Sequence, residues 1–277
     1  MGAGIAIVAA RAGFRTISYD RDRESLQRTR KDTETFFDKS VARGKMSAAD
    51  RAATLNSMTQ TVKTDDLGAC DLVIEAVFED LTVKRDLLSA LDDVCSDDTI
   101  VASNTSTLSI TEIAAGSRRP EKVVGMHFCL PAQLMKLIEM SPGLLTSDET
   151  FAAGWAFTEA CGQIPVRTQD KPGFILNALL VPFNNDVIRA VEAGVAGVAD
   201  IDCAIKVALG YKMGPLELLD LIGLDTQVRL CEAFYPITVD VRAAAPPLLR
   251  RMVAAGLLGR KTGRGFYRYD GNVMFGA

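Results

Sequence analysis

The sequence predicts an α/β domain over residues 1–170, built on a parallel sheet, followed by an all-α domain over residues 171–277. In the first part, short apolar runs alternate with amphipathic helical stretches, as in β-α units that feed a parallel sheet. A polar stretch then meets Pro172 and Gly173, which break regular structure. Beyond it the apolar spacing is almost wholly helical, so the chain is predicted to change domain near Asp170.

The elements are predicted in chain order from these patterns. An apolar run of small residues from Gly2 predicts a first helix. Short runs rich in Val, Ile or Leu predict buried strands at 15–19, 72–75, 100–103, 123–128 and 137–140. Helical spacing with charged outer faces predicts helices at 23–39, 46–58 and 83–94, the second of them opened by Ser47. The all-α part is predicted to hold helices at 174–193, 198–209, 214–234 and 246–255.

The composition limits the classes of function. The 277 residues, 48% of them hydrophobic, can bury a sizeable core, and the net charge of −4 disfavours a nucleic-acid partner. The six cysteines are irregularly spaced, with no histidine cluster beside them, so no metal site is predicted. They are typical of reduced thiols in the cytoplasm. No apolar run reaches the roughly 18 residues of a membrane span.

The only histidine of the chain, His127, lies in an apolar run that ends at Pro131. Histidine takes up and returns a proton near neutral pH, so any such acid/base chemistry in this protein must use His127. The competing interpretation is a packed or surface histidine beside an apolar strand.

A dinucleotide-binding signature is present in part. Gly2 and Asp20 occupy the places of the third glycine and the acidic residue of a Rossmann-like β-α-β unit, where the glycine permits close packing and the acid binds ribose hydroxyls. An acid at this place favours NAD over NADP. The alternative is a plain Gly/Ala helix followed by a surface aspartate.

The first strand and the first two glycines of this motif would precede Met1. Because that strand is central, its loss would leave buried backbone groups unpaired, at about 1 to 3 kcal/mol each, so the native chain is expected to start upstream.

Several segments in a fixed order resemble the short-chain L-3-hydroxyacyl-CoA dehydrogenase family, which includes the 3-hydroxybutyryl-CoA dehydrogenases. The resemblance runs from Met1 to near the end of the chain and implies a Rossmann-like domain, lacking its first strand, followed by a helical domain. The segments are 72–80 (LVIEAVFED), 102–110 (ASNTSTLSI), the His127 run with 135–139 (MKLIE), 172–177 (PGFILN), 214–220 (GPLELLD) and 259–263 (GRKTG).

The resemblance implies catalytic roles. His127 would accept the proton of the substrate 3-hydroxyl, and Glu139 would orient the imidazole and stabilise its charged form. Ser106 and Asn177 would hold the hydroxyl or the developing carbonyl oxygen, and Ser106 would also contact the cofactor. Without the resemblance, Ser106 would be interpreted as a turn residue and Asn177 as a polar residue at a helix start.

Charged residues are implied at the cofactor and at the CoA moiety. By position in the family, Glu79, Lys84 and Lys261 would face NAD, although each could equally be a solvated surface charge. Arg43 and Lys45 would help to hold the CoA phosphates.

One position departs from the family. Where the family usually has an asparagine that contacts the nicotinamide end of the cofactor, this chain has Leu130. Leucine cannot form that hydrogen bond, and a small misplacement near the reacting atoms can cost on the order of 100-fold in rate.

The leading prediction is therefore NAD-dependent oxidation of L-3-hydroxyacyl-CoA, such as 3-hydroxybutyryl-CoA, to 3-ketoacyl-CoA, or the reverse reaction. The helical domain would form a homodimer, with no nucleic-acid or membrane partner. Two alternatives stay open: a dehydrogenase of a free hydroxy or sugar acid, and a catalytically impaired paralogue that contributes a dimerising helical domain.

Overall fold

The computed structural model describes residues 1–269. Contacts within the chain divide it into two compact units, Met1–Phe174 and a second unit that starts at Ile175. Strands alternate with helices in the first unit, whereas the second is helical. The predicted fold class, a Rossmann-like domain followed by a helical domain, is confirmed. Within residues 1–269, no helix has both the length and the apolar character needed to cross a membrane.

The first unit follows the predicted order, and side-chain caps fix several helix starts. Asp22 accepts backbone N–H groups at the start of the second helix, and Ser47 and Asp80 do so at the next two. The elements are α1 (Gly2–Arg11), β1 (Thr16–Tyr19), α2 (Arg23–Ala42), α3 (Ala48–Asn56), β2 (Met58–Thr61), β3 (Leu72–Glu75), α4 (Leu81–Val94), β4 (Ile100–Ser103), α5 (Ile110–Ala114), β5 (Val123–Phe128), β6 (Leu137–Pro142), α6 (Asp148–Ala160) and β7 (Ile164–Arg167).

The second unit contains five α-helices among its described residues: α7 (Leu176–Glu192), α8 (Val198–Leu209), α9 (Pro215–Ile222), α10 (Leu224–Thr238) and α11 (Pro247–Ala254). The prediction of one helix over 214–234 was wrong. Gly223 separates α9 from α10 with a φ of 98°, a backbone conformation that glycine adopts readily and other residues avoid. Ile188, Leu216 and Leu249 are fully buried in the core of this unit.

The strands of the first unit form two sheets. One holds β1 and β2 as a parallel pair, and the other has the order β3-β4-β5-β6-β7, so β1 and β3 are not hydrogen-bonded to each other. The predicted parallel sheet is found in β3, β4 and β5, whereas β6 runs antiparallel to β5. Only residues 129–136 join these two strands. They contain no helix, and so short a connection returns the chain in the opposite direction.

Helices cover both faces of the larger sheet. Val101 and Val123 pack with α4 and α5 on one face, whereas their neighbours Ala102 and Val124 pack with α1 and α6 on the other. This alternation is the period of two expected of strands. Since β3, β4 and β5 are mutually parallel, their carboxyl ends lie at one edge, and the loops that follow them meet there.

Candidate active site

His127 and Glu139 form a buried pair on neighbouring strands. The antiparallel register of β5 and β6 sets them directly opposite each other. His127 Nδ1 lies 2.8 Å from Glu139 Oε2, with the side chains 10% and 0% exposed. A carboxylate can only accept a hydrogen bond, so Nδ1 carries the proton and Nε2 is left as the basic nitrogen. The structure thus brings together the two residues that the resemblance paired.

Glu79 organises the loop that carries Ser106. Its Oε1 accepts hydrogen bonds from the backbone N–H groups of Ser106 and Thr107, each at 2.8 Å, and from Thr105 Oγ1 at 2.7 Å. Burial raises the pKa of Glu79, but the hydrogen bonds from Thr105, Ser106 and Thr107, together with the charge of Lys84, outweigh it and leave the pKa below its usual value. The ionised carboxylate therefore holds the loop after β4 in one conformation.

Lys84 is buried rather than solvated. Its side chain is 1% exposed, and Nζ lies 2.9 Å from both carboxylate oxygens of Glu75 and 3.5 Å from Glu79 Oε2. The alternative interpretation of Lys84 as a solvated surface charge is wrong, because its ammonium group contacts two carboxylates instead of water. Glu75 had no predicted role. The sequence does contain a pattern that could have predicted this pair. Glu75 is an acid at the end of an apolar strand, and Lys84 lies in the first turn of the next helix.

The end of β5 is fixed by Asn104, whose Oδ1 accepts the Phe128 N–H at 2.8 Å. Cys129 follows. Burial, and then the nearby charge of Glu139, raises the pKa of its thiol to about 11, so the thiol is protonated at neutral pH. Leu130, the departure from the family pattern, is 71% exposed. The Cys129 thiol and the Leu130 side chain therefore offer no base beside His127.

Close packing at the start of α1 occurs at Gly4 rather than at Gly2. A Cβ built at Gly4 would lie 2.7 Å from Gln133 Oε1, whereas one at Gly2 would meet nothing within 4 Å. The close packing that was predicted to require a glycine at position 2 therefore occurs at Gly4. Asp20 is half-buried at the end of β1, where its Oδ1 accepts the Asp22 N–H at 2.9 Å.

Comparison with protein families decides the relationship. Residues 1–171 match the model of the 3-hydroxyacyl-CoA dehydrogenase NAD-binding domain, and residues 173–269 match the model of its C-terminal domain. The chain belongs to the 3-hydroxyacyl-CoA dehydrogenase family. It is an NAD-dependent oxidoreductase.

Relatives of this dehydrogenase agree over nearly the whole chain. It is 40% identical over 270 residues to a 3-hydroxybutyryl-CoA dehydrogenase of Clostridioides difficile, covering 98% of this chain and 96% of the relative. It is also 40% identical over 277 residues to the human mitochondrial hydroxyacyl-coenzyme A dehydrogenase, covering 97% and 88%. The crystal structure of (S)-3-hydroxybutyryl-CoA dehydrogenase from Ralstonia eutropha superposes with a TM-score of 0.91 at 37% identity, covering 97% of this chain and 95% of that one.

The remaining predicted residues of the dehydrogenase lie outside the His127 pair. Arg43 and Lys45 are exposed just beyond α2. In the helical unit, Lys261 lies in an exposed turn and forms an ion pair with Asp225, and Asn177 lies in the first turn of α7. The cofactor and substrate contacts of these residues stay predictions.

Residues that follow β3 and β1, two strands of different sheets, have side chains that suit a dinucleotide. Val77 and Phe78, in the loop after β3, are apolar yet 39% and 85% exposed, and the Asp20 carboxylate follows β1. A carboxylate suits ribose hydroxyls, and exposed apolar side chains suit the flat face of a base. Val77, Phe78 and Asp20 could therefore hold NAD together with the residues predicted to contact it.

Proposed function

We propose that this dehydrogenase oxidises L-3-hydroxyacyl-CoA to 3-ketoacyl-CoA with NAD, that 3-hydroxybutyryl-CoA is a substrate, and that His127 is the acid/base. The observation that carries the proposal is the buried contact of 2.8 Å between His127 Nδ1 and Glu139, which leaves Nε2 to accept a proton. The relatives named as 3-hydroxybutyryl-CoA dehydrogenases support the choice of substrate.

The residues of the chain move the proton. NAD, when bound, would supply the acceptor for the hydride that leaves C3 of the substrate. As the C3–O bond becomes a carbonyl, His127 Nε2 takes the hydroxyl proton, and Glu139 stabilises the imidazolium through Nδ1. In reduction the same nitrogen returns the proton. Ser106, on the loop ordered by Glu79, and Asn177 would donate hydrogen bonds to the substrate oxygen.

Partners and location are part of the same proposal. The exposed cations Arg43 and Lys45 support contact with CoA phosphates. Large apolar side chains are exposed on the helical unit, among them Val207 at 80% and Val239 at 76%, which supports a homodimer through this unit. The six cysteines are free thiols, which supports a cytoplasmic location.

Substrate choice tests the proposal. We expect the purified protein to form NADH from L-3-hydroxybutyryl-CoA with a far higher kcat/KM than from free L-3-hydroxybutyrate or a sugar acid, because binding of the CoA part contributes to the rate. Preference for the free acid would favour the second enzyme interpretation. Absence of NADH binding in a fluorescence titration would favour an impaired paralogue.

A further inference from the structure

Phe174 has a backbone conformation that phenylalanine rarely adopts. Its φ is 52°, and among the described residues only Val239 shares a positive φ without being glycine. The left-handed region is unfavourable for an L-residue with a side chain, so the surrounding structure must hold Phe174 there. Such strain is often found where a side chain has to be aimed at a functional group.

The segment before Phe174 is tied to the loop that carries Ser106. The Asp170 carboxylate accepts the backbone N–H groups of Ile110 and Thr111 at 2.7 and 2.9 Å, together with the hydroxyls of Ser109 and Thr111, at the start of α5 where the loop after Ser106 ends. Gly173 donates its N–H to the carbonyl oxygen of Ser106 at 3.2 Å. These bonds fix the backbone that leads into position 174 and account for how its strain is sustained.

The strained backbone directs the Phe174 ring onto His127. The ring centroids are 5.6 Å apart with an interplanar angle of 42°, within the range of favourable aromatic pairs. Phe174 is 6% exposed and packs in the same apolar cluster as Leu88 and Ile110. The hydrogen bond that Nδ1 donates to Glu139 fixes one atom of the imidazole, and the Phe174 ring packed against it restricts the rotation that this bond alone would allow.

We infer that Phe174 is a positioning residue of the reaction. Its ring holds the plane of the His127 imidazole so that Nε2 keeps its direction towards the substrate hydroxyl. The hydrogen bond from Gly173 to Ser106 ties the same segment to the loop expected to bind that hydroxyl. The inference rests on the proposed role of His127, and it adds that one short segment, 170–174, sets the relative placement of His127 and Ser106.

The single histidine allows a direct test by NMR of the tag-free protein, since every imidazole signal comes from His127. Phe174→Leu keeps an apolar, branched side chain at the strained position but removes the ring. We expect the His127 ring-proton signals to move, because the ring current of Phe174 is lost. We also expect kcat for L-3-hydroxybutyryl-CoA to fall by about 10- to 100-fold, with the dissociation constant of NADH unchanged.

Phe37→Leu is the matched control, because Phe37 is a fully buried phenylalanine of α2 whose ring pairs with Phe36, whereas the ring of Phe174 pairs with His127. Both variants should lower the thermal midpoint, whereas only Phe174→Leu should change the His127 signals and kcat. Unchanged His127 signals and kcat in folded Phe174→Leu would overturn the inference while leaving the proposed function intact. Equal effects of the two variants on kcat would also overturn it, since the role of Phe174 would then be structural.

Discussion

Replacing His127 with glutamine is expected to lower kcat for 3-hydroxybutyryl-CoA oxidation by about 10²- to 10⁴-fold, the usual contribution of a general base. Glutamine keeps a polar side chain opposite Glu139 but cannot take up the substrate proton. No second histidine exists to replace it. Steady-state rates of NADH formation for the two proteins measure the loss, and NADH binding should be retained because the residues that fit the dinucleotide are untouched.

Cys129→Ala provides the neighbouring control. This thiol lies two residues from His127, and its pKa of about 11 keeps it protonated and outside the proton transfer at neutral pH. The variant should therefore keep most of the activity. If the rate of His127→Gln stayed within about tenfold of the wild-type rate, the loss would be smaller than the usual contribution of a general base. The assignment of His127 would then be wrong.

Lys84→Met is expected to produce the largest loss of stability of any single charge removal in the first unit, about 3 to 5 kcal/mol in the free energy of unfolding. The variant leaves the carboxylate of Glu75, whose side chain is 0% exposed, without its cation. Ser103 Oγ and the Val77 N–H still donate to this carboxylate, which favours the lower end of the range. Urea unfolding monitored by circular dichroism measures the change.

A double-mutant cycle separates charge burial from packing. Adding Glu75→Gln to Lys84→Met removes the unpaired charge and should recover much of the lost stability. Lys122→Met makes the same chemical change at an ion pair whose partner, Asp98, is 98% exposed, and should cost less than about 1 kcal/mol. Equal losses of unfolding free energy in Lys84→Met and Lys122→Met would show that the buried ion pair contributes no more to stability than the exposed one.

The buried strands could be predicted from the sequence because their patterns are local. The apolar runs at 72–75, 100–103 and 123–128 coincide with β3, β4 and β5 residue by residue. Strands β2 and β7 were not predicted. Both lie at sheet ends, where burial is low. Three of the four residues of β2 are polar, and β7 contains Pro165, which argues against a strand in a sequence.

The site was predictable only in part, because most of its contacts join distant positions. The family resemblance paired His127 with Glu139. A separation of twelve residues does not by itself predict a contact between them, whereas the antiparallel register of β5 and β6 explains it. The contacts of Lys84 with Glu75 and of Phe174 with His127 depend on tertiary packing. Neither a charged residue in a helix nor a phenylalanine after glycine reveals such a partner in the sequence.

Transfer of deuterium from C3 of the substrate tests the central claim most directly. The protein is incubated with NAD and L-3-hydroxybutyryl-CoA that carries deuterium at C3, and the reduced cofactor is examined by mass spectrometry. We expect the deuterium to appear in NADH, 3-ketobutyryl-CoA to be formed in equal amount, and His127→Gln to form almost no labelled NADH. Unlabelled NADH, or labelled NADH formed equally well by His127→Gln, would contradict it.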